Sequence, residues 1–297
     1  MTGLVKDGMD MSGTGIVDID HVMCAVSDLS AAVEAFSRLG FGFTPESAIG
    51  GMSNRLAQLT PVGPGVANFF ELMTINDAEN VSPLMRDVLA GPDGIKMIVH
   101  IADDLERATQ AFADVGSPVG DVWNVEREWT SPDGNREDVR FRVLIPKRGA
   151  LPYFMNAYTP NSLSQYLQPA YQRHDNGARH IRRIYAACPS SHLREAVDRL
   201  ERLYSCAAHE LSPTVFALQP RDVVLEVADP DDLRGRFPML PPPADDNPAL
   251  VGLQFAVADL GRTEALLRAR GVAADVRDET IVVAPTDASG ILIEFAG

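Results

Sequence analysis

Cysteine is scarce, with only Cys24, Cys188 and Cys206 in a chain of 297 residues. They are too few and too scattered for a disulfide framework or a zinc knuckle, and they read as reduced thiols. Basic residues are also short: 26 Lys and Arg stand against 41 Asp and Glu, a formal net charge of −15. A phosphate backbone calls for a basic face, so this balance argues against nucleic-acid binding. No stretch approaches the ~18–20 uninterrupted apolar residues of a membrane span. Met1 to Gly15 lacks the basic start and apolar run of a secretory signal, which makes the cytoplasm the expected location. A Gly-x-Ser-x-Gly elbow, a phosphate loop and a Ser–His–Asp or Cys–His nucleophile are missing too. Gly13-Thr14-Gly15 precedes a strand instead of opening a helix, so it is not a dinucleotide site.

What is present is a globular composition, 45% hydrophobic and 23% charged, at a length of about two average domains. A fourfold internal repeat runs through it. Ile19 to Leu29 reads as a strand followed by an Asp28 N-cap, then an amphipathic helix with Leu29, Val33, Phe36 and Leu39, closed by Gly40. The frame returns at Met97 to Leu105 with Phe112 and Gly116, and at Gly252 to Leu260 with Leu267 and Gly271. A more decayed copy runs from Tyr185 to Leu193, with His192 in the cap slot. Copies one, three and four end in apolar strands with a central Glu: Glu71, Glu226 and Glu294. Copy two ends in Tyr153-Phe154-Met155-Asn156-Ala157, with Met155 at the Glu position.

Each unit is therefore strand, helix, then about three strands. The expected fold is α+β: four βαβββ modules forming two paired, cup-shaped mixed β-sheets with helices outside. An N-terminal tail covers 1–16. A first domain spans 17–170, with modules at 17–75 and 95–159. A second spans 171–297, with modules at 180–230 and 249–297. Ser82 to Leu89 reads as a short connecting helix. The segment from Pro238 to Pro248 is too proline-rich for helix or central strand.

The opening His21-Val-x-x-x-Val-x-Asp28-Leu29, with the closing strands around Glu71, Glu226 and Glu294, resembles the vicinal oxygen chelate superfamily. Within that group the chain looks most like the glyoxalase-like domain proteins, and His174-Asp175-Asn176-Gly177-Ala178 is similar to a linker they carry. The resemblance implies a small-molecule substrate and a divalent metal (Fe, Mn, Ni, Co or Zn) held in a cup by His or Glu from first strands and Glu from last strands. Four modules already supply both cups, so a monomer or a homodimer is expected, and the charge balance and hydropathy leave no nucleic-acid or membrane partner. If the first module pairs with the last, as in some relatives, His21, Glu71 and Glu294 form a three-ligand face. The two His that extradiol dioxygenases carry in their second half are missing at the matching positions, which places ring cleavage last.

Glu71 lies mid-strand between apolar neighbours, where a carboxylate is costly unless it faces a cavity, a metal or a cation. Alternation turns Phe70 and Leu72 toward the helices and Glu71 into the cup, so Glu71 is the candidate catalytic carboxylate. Arg140 and Arg142 alternate with Val139, Phe141 and Val143, and would face the cup as anion anchors if the apolar side packs on helices. Tyr153 and Gln254 complete the candidate substrate contacts, and Tyr153, Tyr158, Tyr166 and Tyr171 either rim a pocket or seal the junction between halves. The leading expectation is metal-dependent isomerase or lyase chemistry. A metal-free cup that binds apolar or aromatic molecules, lined by Met23, Met97, Met155 and Phe69, is the alternative. A metal-free enzyme with Glu71 as base and Arg142 as anchor is the third.

Overall fold

A computed structural model describes residues 13–63, 66–130, 134, 136–147, 149–160, 168–243 and 245–297. The first half contains β1 (Ile16–Ala25), α1 (Leu29–Arg38), β2 (Ser47–Ile49), β3 (Met52–Gln58), β4 (Phe69–Ile75), α2 (Pro83–Leu89), β5 (Gly94–Ala102), α3 (Leu105–Asp114), β6 (Val119–Thr130), β7 (Arg136–Pro146) and β8 (Phe154–Pro160). The second contains β9 (Ala178–Ala187), α4 (Ser190–Tyr204), β10 (His209–Ser212), β11 (Val215–Leu218), β12 (Val224–Ala228), α5 (Pro230–Arg236), β13 (Ala249–Val257), α6 (Leu260–Ala269), β14 (Ala274–Val276), β15 (Thr280–Val283) and β16 (Leu292–Ala296).

The repeat is built as its spacing predicts. Asp28, Asp104 and Asp259 each accept a hydrogen bond from the backbone N–H three residues on, at 2.9, 2.9 and 3.0 Å, and so start α1, α3 and α6. Ser82 caps α2 in the same way, with Pro83 in its first turn. Gly40, Gly116 and Gly271 close their helices with φ of 95°, 79° and 66°, a region that favours glycine.

The strands form two eight-stranded mixed sheets, ordered β2-β3-β4-β1-β5-β8-β7-β6 and β10-β11-β12-β9-β13-β16-β15-β14. In each, two modules join through their first strands, β1 antiparallel to β5 and β9 antiparallel to β13. Module one therefore pairs with module two, not with module four. The edge strands β2 and β6 approach each other, so the first sheet curls toward closure around a concave face, cup one. The convex faces carry the helices and meet each other. Phe36 and Phe70 from the first half pack through Phe41 onto Phe255 and Phe295 of the second, with Phe41 4.9 Å from Phe255. All five rings are almost fully buried, each worth about 1.5–3 kcal/mol.

Three details of the repeat differ from the sequence-based reading. In module three α4 begins at Ser190, so His192 lies inside the helix instead of capping it. The extra turn offsets helix from strand: Glu226 pairs with Tyr185, and the residue in register with His21 is Arg183. In module two Met97 pairs with Phe154 as His21 pairs with Phe69, which puts Asn156, not Met155, at the Glu71 position. Met155 is turned into the helix-side core. Finally, Asp229 caps the unexpected α5, whose Leu233, with Phe237 and Leu240 beyond it, packs against Tyr185 and Leu292 in the concave face of the second sheet, cup two.

Candidate functional site in the first cup

Cup one encloses a cavity of about 440 Å³. Its floor is the row of inward-facing residues on β1, β3, β4, β5 and β8, and its outer wall is Phe141, Val143 and Ile145 of β7 with Trp123 of β6. Most of the lining is apolar, and the polar groups gather around His21.

The His21 ring stacks on Phe69, with centroids 4.0 Å apart and planes at 17°, and Tyr158 meets it edge-on. Its Nδ1 lies 2.7 Å from Asp20 Oδ2, which also accepts the Tyr158 hydroxyl hydrogen at 2.9 Å. Asp20 is fully buried, and its two donors satisfy one oxygen while Oδ1 has no partner. A carboxylate on Nδ1 fixes that nitrogen as the donor and turns Nε2 toward the cavity, where it carries a lone pair in the neutral ring. Nε2 stands 3.9 Å from Glu71 Oε2. That is too long for a hydrogen bond and leaves room for a substrate atom to bridge the two. Glu71 is 6% exposed, and its other oxygen accepts from the Asn54 side-chain amide.

Asp20 and His21 are consecutive, yet both side chains serve one site. Strand alternation alone would separate them. The β1–β5 pairing slips between Ile19 and His21, and a bulge of this kind re-aims neighbouring side chains.

Other expected site residues lie elsewhere. Glu294 is in the second sheet, where Tyr185 donates to it and Gln254 Nε2 donates at 2.6 Å. Gln254 belongs to that same cluster, so neither residue reaches cup one. Burial and the Glu294 carboxylate push the Tyr185 hydroxyl well above the phenol range, which keeps it a donor. Arg140 and Arg142 are half-exposed, bonded to Glu126 and to Glu106 of α3. The alternation of β7 is inverted from expectation: Val139 and Val143 are buried with the cup-lining cluster, because the cup itself is apolar there. Tyr153 donates to the Ala187 carbonyl and seals the junction between halves. Tyr158 lines the cavity, and Tyr166 is outside the described residues.

The remaining histidines of interest are structural. His100 bonds the Asn156 carbonyl and the Tyr204 hydroxyl, and burial lowers its pKa to about 4, so it is neutral. His174 accepts from the Gly42 N–H and donates to the Gln58 carbonyl.

By the internal symmetry of cup one, His21, Glu71, Met97 and Asn156 stand at the four positions that would hold a metal. Two are strong donors for a divalent ion of the expected kind; a thioether and a neutral amide replace the other pair. Among the described residues no group of three or more His, Cys, Asp or Glu is arranged to hold a metal. The donor set does not fit the metal centre that the resemblance implied.

A curled eight-stranded sheet built from two βαβββ modules around a central cavity defines the vicinal oxygen chelate architecture. A family model described as "Glyoxalase-like domain" matches residues 19–204, which span cup one and the first strand and helix of module three. The chain belongs to that glyoxalase-like domain family. No curated protein matches it. Among solved structures it is similar to a hypothetical protein from Staphylococcus aureus, with TM-score 0.60 and 11% identity over 93% of this chain and 98% of the other. A xylose isomerase-like TIM barrel/4-hydroxyphenylpyruvate dioxygenase fusion protein matches at TM-score 0.58 and 13% identity, covering 96% of this chain and 49% of that one. A mutant 4-hydroxymandelate synthase from Streptomyces coelicolor matches at TM-score 0.58 and 14% identity, over 95% and 92%. At such identities the likeness establishes the fold.

Proposed function

We propose that the chain is an enzyme whose reaction takes place in cup one, moving a proton on a small, largely apolar oxygenated molecule in isomerase- or lyase-type chemistry. The observation that carries this reading is the convergence of Asp20, His21 and Glu71 at the floor of the cavity. The Nε2 lone pair of His21 takes a proton from a carbon or oxygen of the substrate. The electron pair left behind enters the adjacent carbonyl or expels a leaving group. Asp20 stabilises the imidazolium that forms, and the proton returns at the neighbouring atom or to the leaving group. Glu71 across the gap holds or exchanges the second proton, and the apolar walls exclude water.

The test is deuterium incorporation from D2O into a panel of small carbonyl compounds, followed by NMR, for the wild type, His21→Asn and Asp20→Asn. The wild type exchanges at least one compound class, and His21→Asn slows that exchange by about 10²–10⁴-fold. Exchange that survives His21→Asn overturns the reading.

A second reading keeps the divalent metal on His21 and Glu71, and the Asp20–His21 bond favours it, because metal-ligating histidines are oriented by just such a carboxylate. Elemental analysis of untagged wild type, His21→Ala and Glu71→Ala separates the two. Near-stoichiometric Fe, Mn, Ni, Co or Zn that disappears in both variants establishes the metal centre and overturns the metal-free route. A cytoplasmic location and a monomeric or homodimeric state remain part of the proposal, checked by fractionation and light scattering.

A further inference from the structure

Cup one is short of positive charge. Among the described residues that line it there is no Lys or Arg, whereas Glu71 and Glu126 both do. On the outer wall, Arg140 is 58% exposed and bonded to Glu126. Glu71 keeps one oxygen, Oε2, without a side-chain amide, facing His21 Nε2 across 3.9 Å at the polar end of the cavity. His21 Nε2 faces the same space, with Nδ1 held by Asp20, and offers a lone pair in the neutral ring. The polar end of the cavity thus offers acceptors and negative charge, and leaving buried acceptors unmet is costly.

The rest of the wall supplies hydrocarbon and aromatic faces. Met23, Met52, Met73, Met85 and Met97, half of the chain's ten methionines, line the cavity and adapt to irregular apolar shapes. Phe69, Phe141 and Tyr158 present ring surface around the same space, and ring faces attract cations.

We infer that the ligand of cup one is a hydrophobic amine: an aryl or alkyl body held by the methionines and aromatic rings, with its protonated nitrogen donating to Glu71. A carboxylate or phosphate ester is disfavoured, because it would be desolvated beside Glu71 with no cation to meet it. This narrows the oxygenated substrate of the reading above to one that also carries a protonated amine, and it rests on cup one being the site. Its test reads equilibrium binding, which is independent of whether proton transfer occurs.

Phenethylamine, phenethyl alcohol and phenylacetate share one skeleton and carry charges of opposite sign or none. Their binding to the full chain is measured by titration calorimetry, with the wild type beside Glu71→Gln. The amine binds at least about tenfold tighter than the alcohol, the advantage of a hydrogen bond to a charged group, and phenylacetate binds weakest. In Glu71→Gln the amine loses that advantage while the alcohol keeps its affinity, which also shows that the variant's cup is intact. Any ranking in which the amine is not first overturns the inference, as does an amine preference that survives Glu71→Gln or failure of all three probes to bind. Amine binding without isotope exchange would leave the inference standing and remove the enzymatic reading instead.

Discussion

At their four equivalent strand positions cup one presents His21, Glu71, Met97 and Asn156, and cup two presents Arg183, Glu226, Gly252 and Glu294. The same framework has been put to opposite uses. In cup two every carboxylate is answered from within: Arg183 and Arg236 clasp Glu226, while Tyr185 and Gln254 satisfy Glu294. Leu233, Phe237 and Leu240 then fill the concave face, with the Phe237 ring 5.1 Å from Tyr185. In cup one α2 contributes only Met85 to the cavity lining, and Glu71 faces the cavity with the Asn54 amide bonded to it and His21 Nε2 3.9 Å away. A buried polar group satisfied internally serves stability, whereas one left open to a cavity is available to a ligand.

The sharpest way to break this contrast is to unplug cup two. Phe237 is 2% exposed, and Arg236 and Arg277 lie over its ring. Phe237→Ala is expected to cost about 3–5 kcal/mol in urea denaturation, the range for a buried phenylalanine truncated to a cavity. A loss below about 1 kcal/mol would mean that the plug is dispensable and the two cups are alike.

How much of this was legible in the sequence follows from where local periodicity governs. Asp caps announced three modules and the helix stripe alone the third in chain order, because capping and 3.6-residue spacing are local properties. His21 and Glu71 could be placed in the cup for the same reason. Asp20 could not, since its role depends on a bulge in β1 that only the pairing with β5 reveals. Arg140 and Arg142 were turned the wrong way because alternation gives two faces without saying which lines the cup, and here the Val139 and Val143 side lines the cup while Arg142 lies on the side facing α3. Asn156 was hidden by the apolar run Tyr153 to Met155, which has no alternation to set its phase. Module pairing, and with it the separation of Glu294 from His21, is a long-range choice that no window of sequence contains.

Glu226 against Glu71 offers the next comparison. Glu226 is fully buried, and removing its charge strands Arg183 and Arg236, which are 27% and 40% exposed. Breaking a buried pair costs 3–5 kcal/mol in general, and partial solvent access of both guanidinium groups reduces the expectation for Glu226→Gln to about 2 kcal/mol. Thermal and urea unfolding beside the wild type measure it.

Asp18 extends the comparison to a carboxylate with neither a clasp nor a cavity. It is fully buried between the halves, accepts the Asp222 N–H at 3.1 Å, and leaves Oδ1 without a partner. Burial, with a further push from Asp222, raises its pKa to about 7. The folded protein then holds a proton that the unfolded chain has released, so this contribution to stability is complete below the ordinary carboxylate range and is lost as pH rises through about 7. Asp18→Asn keeps an acceptor for Asp222 N–H and removes the titration. It should be more stable than the wild type at pH 8, by about 1–3 kcal/mol, and the two should converge toward pH 4. A parallel pH dependence in wild type and variant would assign the titration elsewhere.

The smallest expected effect is the most discriminating. Glu71→Gln keeps the shape and an acceptor oxygen toward the Asn54 amide, and it strands no Lys or Arg, its one basic neighbour being the His21 ring 3.9 Å away. Its stability should therefore stay within about 1 kcal/mol of the wild type, in contrast to the same substitution at Glu226. If Glu71→Gln instead proves as damaging as Glu226→Gln, Glu71 is held by a partner such as a tightly bound cation, and cup one is a structural site like cup two. If it is neutral in stability while ligand affinity falls, the carboxylate is committed to what enters the cavity.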